Sequence, residues 1–134
     1  MNIVVFEDDQ VAKLHPITLG RPTYAITCGG FRLVDWLTKM SPCVEGLVRP
    51  HLQAIQVLDY PHLARPADVS TNSGCLAVNA RLVPSHALFE RLQSLVSQQN
   101  PVVVRQNDEL AAVWLPAGCG IAALQKRDNF AAFE

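Results

Sequence analysis

The feature that most constrains this chain is an unbroken apolar run near its start. Residues 2–6 read NIVVF, β-branched and apolar with no polar alternation, which is typical of a strand covered on both faces. Segments with helix and strand character alternate after it. This order predicts an α/β fold: a three-layer, mainly parallel Rossmann-like sheet with helices on both faces and one antiparallel hairpin.

Local patterns predict the other elements. Thr27 is expected to cap a helix that ends before Pro42, and Pro50 to begin the next helix. Ser85 is expected to cap the clearest helix, whose apolar residues recur at helical spacing. The remaining predictions are loops at 7–23 and 61–74, strands at 43–48 and 75–83, a hairpin at 101–115 that turns at 106–109, and a helix within 118–133.

Length and charge limit the possible partners. The 134 residues fit one domain, predicted to span 1–134. A formal net charge of −1 with scattered basic residues argues against nucleic acid, which would require a basic face. No apolar stretch approaches the ~20 residues needed to cross a bilayer, and we expect no signal peptide, because Met1 is followed by a short apolar run and not by a basic n-region and a long h-region. We therefore expect a cytoplasmic domain that binds neither nucleic acid nor membrane.

The four cysteines and four histidines show no ligand spacing that would indicate a metal site. A cytoplasmic chain with a core of its own has little use for disulfides. Because cysteine is among the most buried residue types, we expect free and mostly buried thiols.

Two polar segments are expected at one rim of the sheet. Residues 7–22 follow the first predicted strand, and residues 79–84 include the end of the third. Ligands of parallel sheets bind at the carboxyl ends of the strands. Both segments are therefore candidates for a binding site.

The stretch FEDDQVAKLHPITLGRP at 6–22 resembles the first loop of the sugar nucleotidyltransferase family, which reads L-x-x-G-x-G-T-R-x-x-P-L-T-x-x-x-P-K. Without a gap, Lys13 meets the arginine of that loop, residues 16–18 meet Pro-Leu-Thr, and Pro22 meets the last proline. The chain is also similar to one branch of the family that begins Phe-Glu-Asp-Asp and carries a left-handed β-helix of acyltransferase type. NARLVP at 79–84 is similar to the Asn-Gly-Arg-Leu-Leu-Pro segment of that branch.

The loop departs from the family pattern at both of its glycines and at its lysine. Asp9 and Val11 stand at the glycines that let backbone N–H groups wrap a phosphate, and Thr23 stands at the lysine. In active members a strand ends in Gly-Asp, whose carboxylate holds Mg²⁺, whereas this chain has Asn79 and Arg81 in the corresponding region. The resemblance therefore implies a sugar nucleotidyltransferase-like domain, degenerate in its phosphate-binding loop.

The resemblance also implies roles for single residues. In a working enzyme Lys13 and Arg21 would be catalytic, neutralising the phosphates of a nucleotide or sugar phosphate. Asp8 or Asp9 would then hold Mg²⁺, and no other cofactor is expected. The predicted nucleotide- or phosphate-binding residues are Asp8, Asp9, Lys13, Thr18, Arg21, Asn79 and Arg81.

Plainer readings stay open for all of these residues. The cations would be solvated loop residues, the acids and the threonine turn or cap residues, and the polar pair at 79 and 81 structural hydrogen-bonding groups. The alternative function is a non-catalytic interaction or structural module, for example one that supports an acyltransferase β-helix. Its expected partner is such a C-terminal β-helix domain or a second copy of the chain.

Overall fold

The computed structural model describes residues 1–64 and 73–119, together with the backbone of residues 130–132. Three α-helices lie in this part of the chain, α1 (Leu33–Met40), α2 (Gln53–Asp59) and α3 (His86–Val96). Single 3₁₀ segments cover Asp9–Leu14, Thr23–Ala25 and Pro50–Leu52. The strands are β1 (Asn2–Phe6), β2 (Thr27–Cys28), β3 (Phe31–Arg32), β4 (Val44–Leu47), β5 (Cys75–Asn79), β6 (Val102–Gln106), β7 (Glu109–Leu115) and β8 (Phe130–Ala132).

Strand β1 is central in the main sheet, which has the order β4-β1-β5-β7-β6-β8. It pairs in parallel with β4 on one side and with β5 on the other. Ile3 and Val5 are fully buried, as expected for a strand with apolar residues on both faces. The predicted central position of the first strand is confirmed.

The sheet is mixed but mostly parallel. Strand β7 runs antiparallel to both β5 and β6, and β8 pairs in parallel with β6. Strands β2 and β3 form a separate antiparallel pair. The predicted α/β class and mainly parallel sheet are confirmed, while the three-layer arrangement stays a prediction.

The predicted hairpin is present as β6 and β7. Asn107 and Asp108 connect the strands with φ of 50° and 63°. Two consecutive residues with positive φ are typical of a type I′ turn, whose twist matches that of the strands. Asparagine and aspartate tolerate this conformation better than most residues.

Helix boundaries agree with the predictions only in part. The Ser85 hydroxyl accepts a hydrogen bond from the Leu88 N–H at 3.1 Å, so the predicted cap of α3 is confirmed. The prediction that Thr27 caps α1 is wrong, because Thr27 lies in β2. Gly29 and Gly30, both with positive φ, form the turn between β2 and β3 that delays the helix.

Three other boundaries also differ from the predictions. Pro50 begins a 3₁₀ turn, and α2 starts only at Gln53. The strand predicted at 75–83 ends at Asn79, where the Leu82 N–H donates to the Asn79 carbonyl and turns the chain. The helix predicted within 118–133 is wrong at Phe130–Ala132, which form a strand, and its residues 120–129 lie outside the described residues.

The outer edge of β4 is covered within the described chain. The Gly46 N–H donates to the Leu63 carbonyl at 2.9 Å. The buried Gln56 amide donates to the carbonyls of Gly46 and Leu63, at 2.8 and 2.9 Å. A Cβ on Gly46 would lie 3.0 Å from the Tyr24 ring, so glycine permits this close approach.

None of the helices described in 1–64 and 73–119 has the length and apolar character required to cross a membrane.

Candidate functional site

The carboxyl ends of β1, β4 and β5 form one rim of the sheet. The chain passes from β1 to β4 on one side and then to β5 on the other, so strand order reverses at β1. Such a reversal is where open parallel sheets bind ligands. Glu7 and Asp8 follow β1, Arg49 lies just beyond β4, and Arg81 lies just beyond β5.

Glu7 is held inside the rim by four hydrogen bonds. Its side chain is only 2% exposed. Oε1 accepts from the Thr23 N–H at 2.8 Å and from the Thr23 hydroxyl at 2.7 Å. Oε2 accepts from the backbone N–H and the Nε of Arg49, at 3.0 and 2.9 Å. Burial opposes ionisation, but the bonds from Arg49 and Thr23 outweigh it and lower the pKa of Glu7.

Asp8 forms a bidentate ion pair with Arg81. Arg81 Nε donates to Oδ1 at 2.8 Å and Nη2 to Oδ2 at 2.7 Å. The Asn79 amide donates to Oδ2 at 2.7 Å, and the Gln10 N–H donates to Oδ1 at 3.1 Å. Burial acts against the charge, yet Arg81 and Asn79 prevail and lower the pKa of Asp8.

Arg81 also binds a second carboxylate. Its Nη2 donates to Glu109 Oε2 at 2.6 Å, and this bond is the main cause of the lowered pKa of Glu109. Lys13 Nζ lies 3.6 Å from Glu109 Oε1. Four charged residues of the rim therefore form one network, which runs from Asp8 through Arg81 and Glu109 to Lys13.

Arg49 ties the first loop to the end of β4. Its Nη2 donates to the Thr18 carbonyl and, at 3.4 Å, to the Arg21 carbonyl. The Thr18 side chain is buried, and its hydroxyl donates to the Val11 carbonyl at 3.3 Å. The loop is therefore closed by internal hydrogen bonds, and the Arg21 and Asp9 side chains lie at its exposed surface.

A cleft of about 530 Å³ lies between this loop and the end of β4. Asp9 and His15 line it from the loop, with His51 and the apolar side chains of Leu19 and Leu47. A smaller cavity of about 100 Å³ lies beside Arg81 and Glu109. The larger cleft has the size of a small-ligand site.

The structure brings some of the predicted site residues together and separates others. Asp8, Asn79 and Arg81 are in direct contact, and Lys13 joins them through Glu109. The other predicted residues, Asp9, Thr18 and Arg21, are not bonded to this network in any contact described. The ligand-binding roles of all seven stay predictions.

Sequence reasoning missed Arg49 and Glu109 and understated Glu7. The signal for Arg49 was available, because it follows a predicted parallel strand and strand ends converge at one rim. Glu109 begins β7, which runs antiparallel to its neighbours and therefore starts at the rim where they end. That placement depends on sheet order, which local periodicity does not contain.

We expect the ion pair of Asp8 with Arg81 to make the free energy of unfolding depend on pH in the acidic range. A carboxyl whose pKa is lowered on folding stabilises the fold above its ordinary pKa, and the effect is lost as pH falls through the folded pKa. Asp8→Asn should therefore destabilise the protein at neutral pH, and the deficit should shrink below pH 3.8, the ordinary value. Urea denaturation of both proteins across pH 2–7 measures it. A deficit that stays constant over this range would contradict the pairing.

Possible metal ligands are not grouped in the described chain. Among residues 1–64 and 73–119, no three His, Cys, Asp or Glu side chains are arranged to hold a metal ion. Asp8 and Glu109 both accept hydrogen bonds from Arg81, and Glu7 accepts them from Arg49. These residues as they stand do not fit Mg²⁺.

Comparison with known proteins gives a family assignment. A family model described as sugar nucleotidyl transferase matches residues 3–129. Comparison with curated proteins and with solved structures found no match. The matched region includes β1 from Ile3 onward, the first loop and every charged residue of the network. This chain belongs to the sugar nucleotidyl transferase family.

Proposed function

We propose that this chain is a sugar nucleotidyltransferase-like domain with a degenerate phosphate-binding loop that does not complete nucleotidyl transfer. The observation that carries the proposal is the state of the two acids after β1. Glu7 is bonded by Arg49 and Asp8 by Arg81, so both charges are neutralised within the chain. A phosphoryl-transfer site needs metal ligands and cations directed at the phosphates instead.

The backbone of the loop supports the same proposal. Asp9–Leu14 form a 3₁₀ segment. Within it the Val11 side chain is buried, and the Val11 N–H donates to the Asp8 carbonyl. Thr23, which meets the signature lysine of the family, donates to Glu7. A glycine loop would present free N–H groups to a phosphate. In this chain the N–H groups of Val11 and Thr23 instead donate to Asp8 and Glu7.

The ligand we propose is a nucleotide or sugar phosphate bound at the rim. Lys13 and Arg21 would meet its phosphates from the exposed side of the loop, with Asn79 and Arg81 opposite. In the catalytic alternative, the sugar-phosphate oxygen would attack the α-phosphorus in line, and the bond to pyrophosphate would break. That alternative would require Mg²⁺, whereas ligand binding alone requires no cofactor. We place the protein in the cytoplasm.

Exposed apolar side chains near the cleft favour a second candidate function. Ile17, Leu19 and Leu47 are 59%, 53% and 49% exposed. Apolar surface around a polar rim is common where another domain or subunit docks. The second candidate is accordingly a non-catalytic interaction module, whose partner would be an acyltransferase β-helix domain or a second copy.

We expect no pyrophosphate release above background from nucleoside triphosphates with any common sugar phosphate and Mg²⁺. Loss of one preorganised group in such a site typically costs ~10²–10³ in rate, and here several are lost. A coupled pyrophosphate assay measures it. Thermal shifts of the same mixtures separate the candidates, because a bound nucleotide or sugar phosphate stabilises the fold, whereas an interaction module gives no shift.

Two substitutions identify the source of any turnover. Activity that disappears in Asp8→Asn or in Lys13→Ala would contradict the proposed degeneracy, and its loss in Asp8→Asn is the result expected of a metal ligand. Activity that survives both changes would indicate a contaminating enzyme.

A further inference from the structure

Three residues place a guanidinium group between two carboxylates at the strand reversal. Arg81 Nη2 lies 2.7 Å from Asp8 Oδ2 and 2.6 Å from Glu109 Oε2. One nitrogen thus bridges oxygens from the end of β1 and the start of β7. Without a cation between them, two carboxylates this close would repel each other.

A buried amide orients the Asp8 carboxylate toward that point. Asn79 is buried, and its amide donates both to Asp8 Oδ2 and to the Leu110 carbonyl, at 2.7 and 2.9 Å. It therefore links Asp8, beyond the loop-side end of β1, to the start of β7. Carboxylates such as those of Asp8, which follows β1, and Glu109, which begins β7 on the far side of β5, are the oxygen ligands that hard divalent cations take.

We propose that the Arg81 guanidinium occupies a divalent-cation position between Asp8 and Glu109, so that the chain supplies its own cation there and excludes Mg²⁺ or Mn²⁺. The inference rests on the proposed function in one respect, since it gives a reason for the loss of metal-dependent chemistry. It extends that function by defining a latent cation site that removal of one side chain would open.

An external cation cannot easily displace this guanidinium. Arginine is not deprotonated in proteins, and the hydrogen bonds that Arg81 donates to Asp8 and Glu109 further raise its pKa. Its three bonds to the two carboxylates measure 2.6–2.8 Å, the range of charge-assisted bonds. A divalent ion would also meet strong repulsion from the fixed positive charge.

The test is Mn²⁺ binding in the absence of nucleotide. Arg81→Met keeps most of the side-chain volume and removes the charge. We expect wild-type protein to show no saturable Mn²⁺ binding in calorimetric titration or in the electron paramagnetic resonance of free Mn²⁺. We expect Arg81→Met to bind one Mn²⁺ saturably, with an affinity at least about tenfold above the weakest that the same titration would detect in wild type. Arg81→Met combined with Glu109→Gln should lose that site.

A matched control comes from the pair at the start of α1. Arg32 forms a bidentate pair with Asp35, at 3.0 and 2.7 Å, and within residues 1–64 and 73–119 no second carboxylate pairs with it. Arg32→Met should therefore open no Mn²⁺ site. Binding in Arg32→Met equal to that in Arg81→Met would show that any uncovered acid suffices and would overturn the inference.

Further outcomes keep the inference distinct from the proposed function. It fails if wild type binds Mn²⁺ in a manner abolished by Asp8→Asn, or if folded Arg81→Met binds none. If Arg81→Met unfolds, recovery of its circular dichroism signal on Mn²⁺ addition supports the inference. The inference is refuted if Mn²⁺ does not restore the circular dichroism signal of Arg81→Met while Arg81→Lys, which keeps the positive charge, is folded. Pyrophosphate release by wild type would instead refute the proposed function. The inference is judged separately, from the Mn²⁺ binding of wild type and Arg81→Met.

Discussion

Replacing Arg49 with alanine should lower the free energy of unfolding by about 3–5 kcal/mol, the usual cost of breaking a buried ion pair from one side. The Glu7 side chain is 2% exposed and would keep only the two bonds from Thr23 and the Arg49 backbone N–H. Its charge would stay buried without a counter-ion. The first loop would also lose the bonds from Arg49 to the carbonyls of Thr18 and Arg21. Urea denaturation at pH 7 measures the loss.

The control for this prediction is Arg32→Ala. Arg32 and Asp35 form a similar pair with 40% and 34% of their side chains exposed, and such exposed pairs contribute roughly 0.2–1 kcal/mol. The double variant Arg49→Met with Glu7→Gln removes both charges and should recover part of the stability. An Arg49→Ala loss no larger than that of Arg32→Ala would show that the Glu7 pair is not a major contributor.

Gly74→Ala should destabilise the protein by about 1–3 kcal/mol, the usual cost of overpacking a core. A Cβ on Gly74 would lie 2.3 Å from the Trp114 ring, closer than real Cβ contacts allow. Trp114 is 6% exposed and its Nε1 donates to the Gln98 carbonyl at 3.0 Å, so the indole cannot move freely. The Gly74 carbonyl also accepts from the Asn2 N–H at the start of β1. Thermal and urea denaturation measure the effect.

Gly20→Ala is the matched control for this change. No atom lies within 4 Å of a Cβ built on Gly20. An alanine there should leave stability unchanged or raise it by about 0.4–1 kcal/mol through the unfolded chain. Equal losses in the two variants would mean that contact with Trp114 does not determine the result.

The sequence predicted the elements whose signals are local. β1 was predictable because both faces of residues 2–6 are apolar, and the hairpin because a polar turn separates two apolar runs. The start of α1 was not predictable. Gly29 and Gly30 form a turn between β2 and β3, and these two-residue strands are too short to carry a periodic pattern. The end of β5 was missed because apolar residues continue beyond Asn79, where side-chain bonds terminate the strand.

The candidate site was predictable only as a rim. The strand-end rule correctly brought Asp8, Asn79 and Arg81 together. It did not indicate that Arg81 would bind Asp8 itself, because proximity of strand ends does not say whether opposite charges pair with each other or with a ligand. Glu109 could not be foreseen without the position of β7 between β5 and β6.

The Gln56 amide has a consequence for how the protein behaves in a crowded solution. An open edge strand is a template on which identical chains add to one another and aggregate. At β4 the Gly46 carbonyl already accepts from Gln56, and the Gly46 N–H donates to Leu63. A foreign strand would have to displace a buried side chain before it could pair there. At Gly46 this edge is therefore protected against pairing with the strand of another chain.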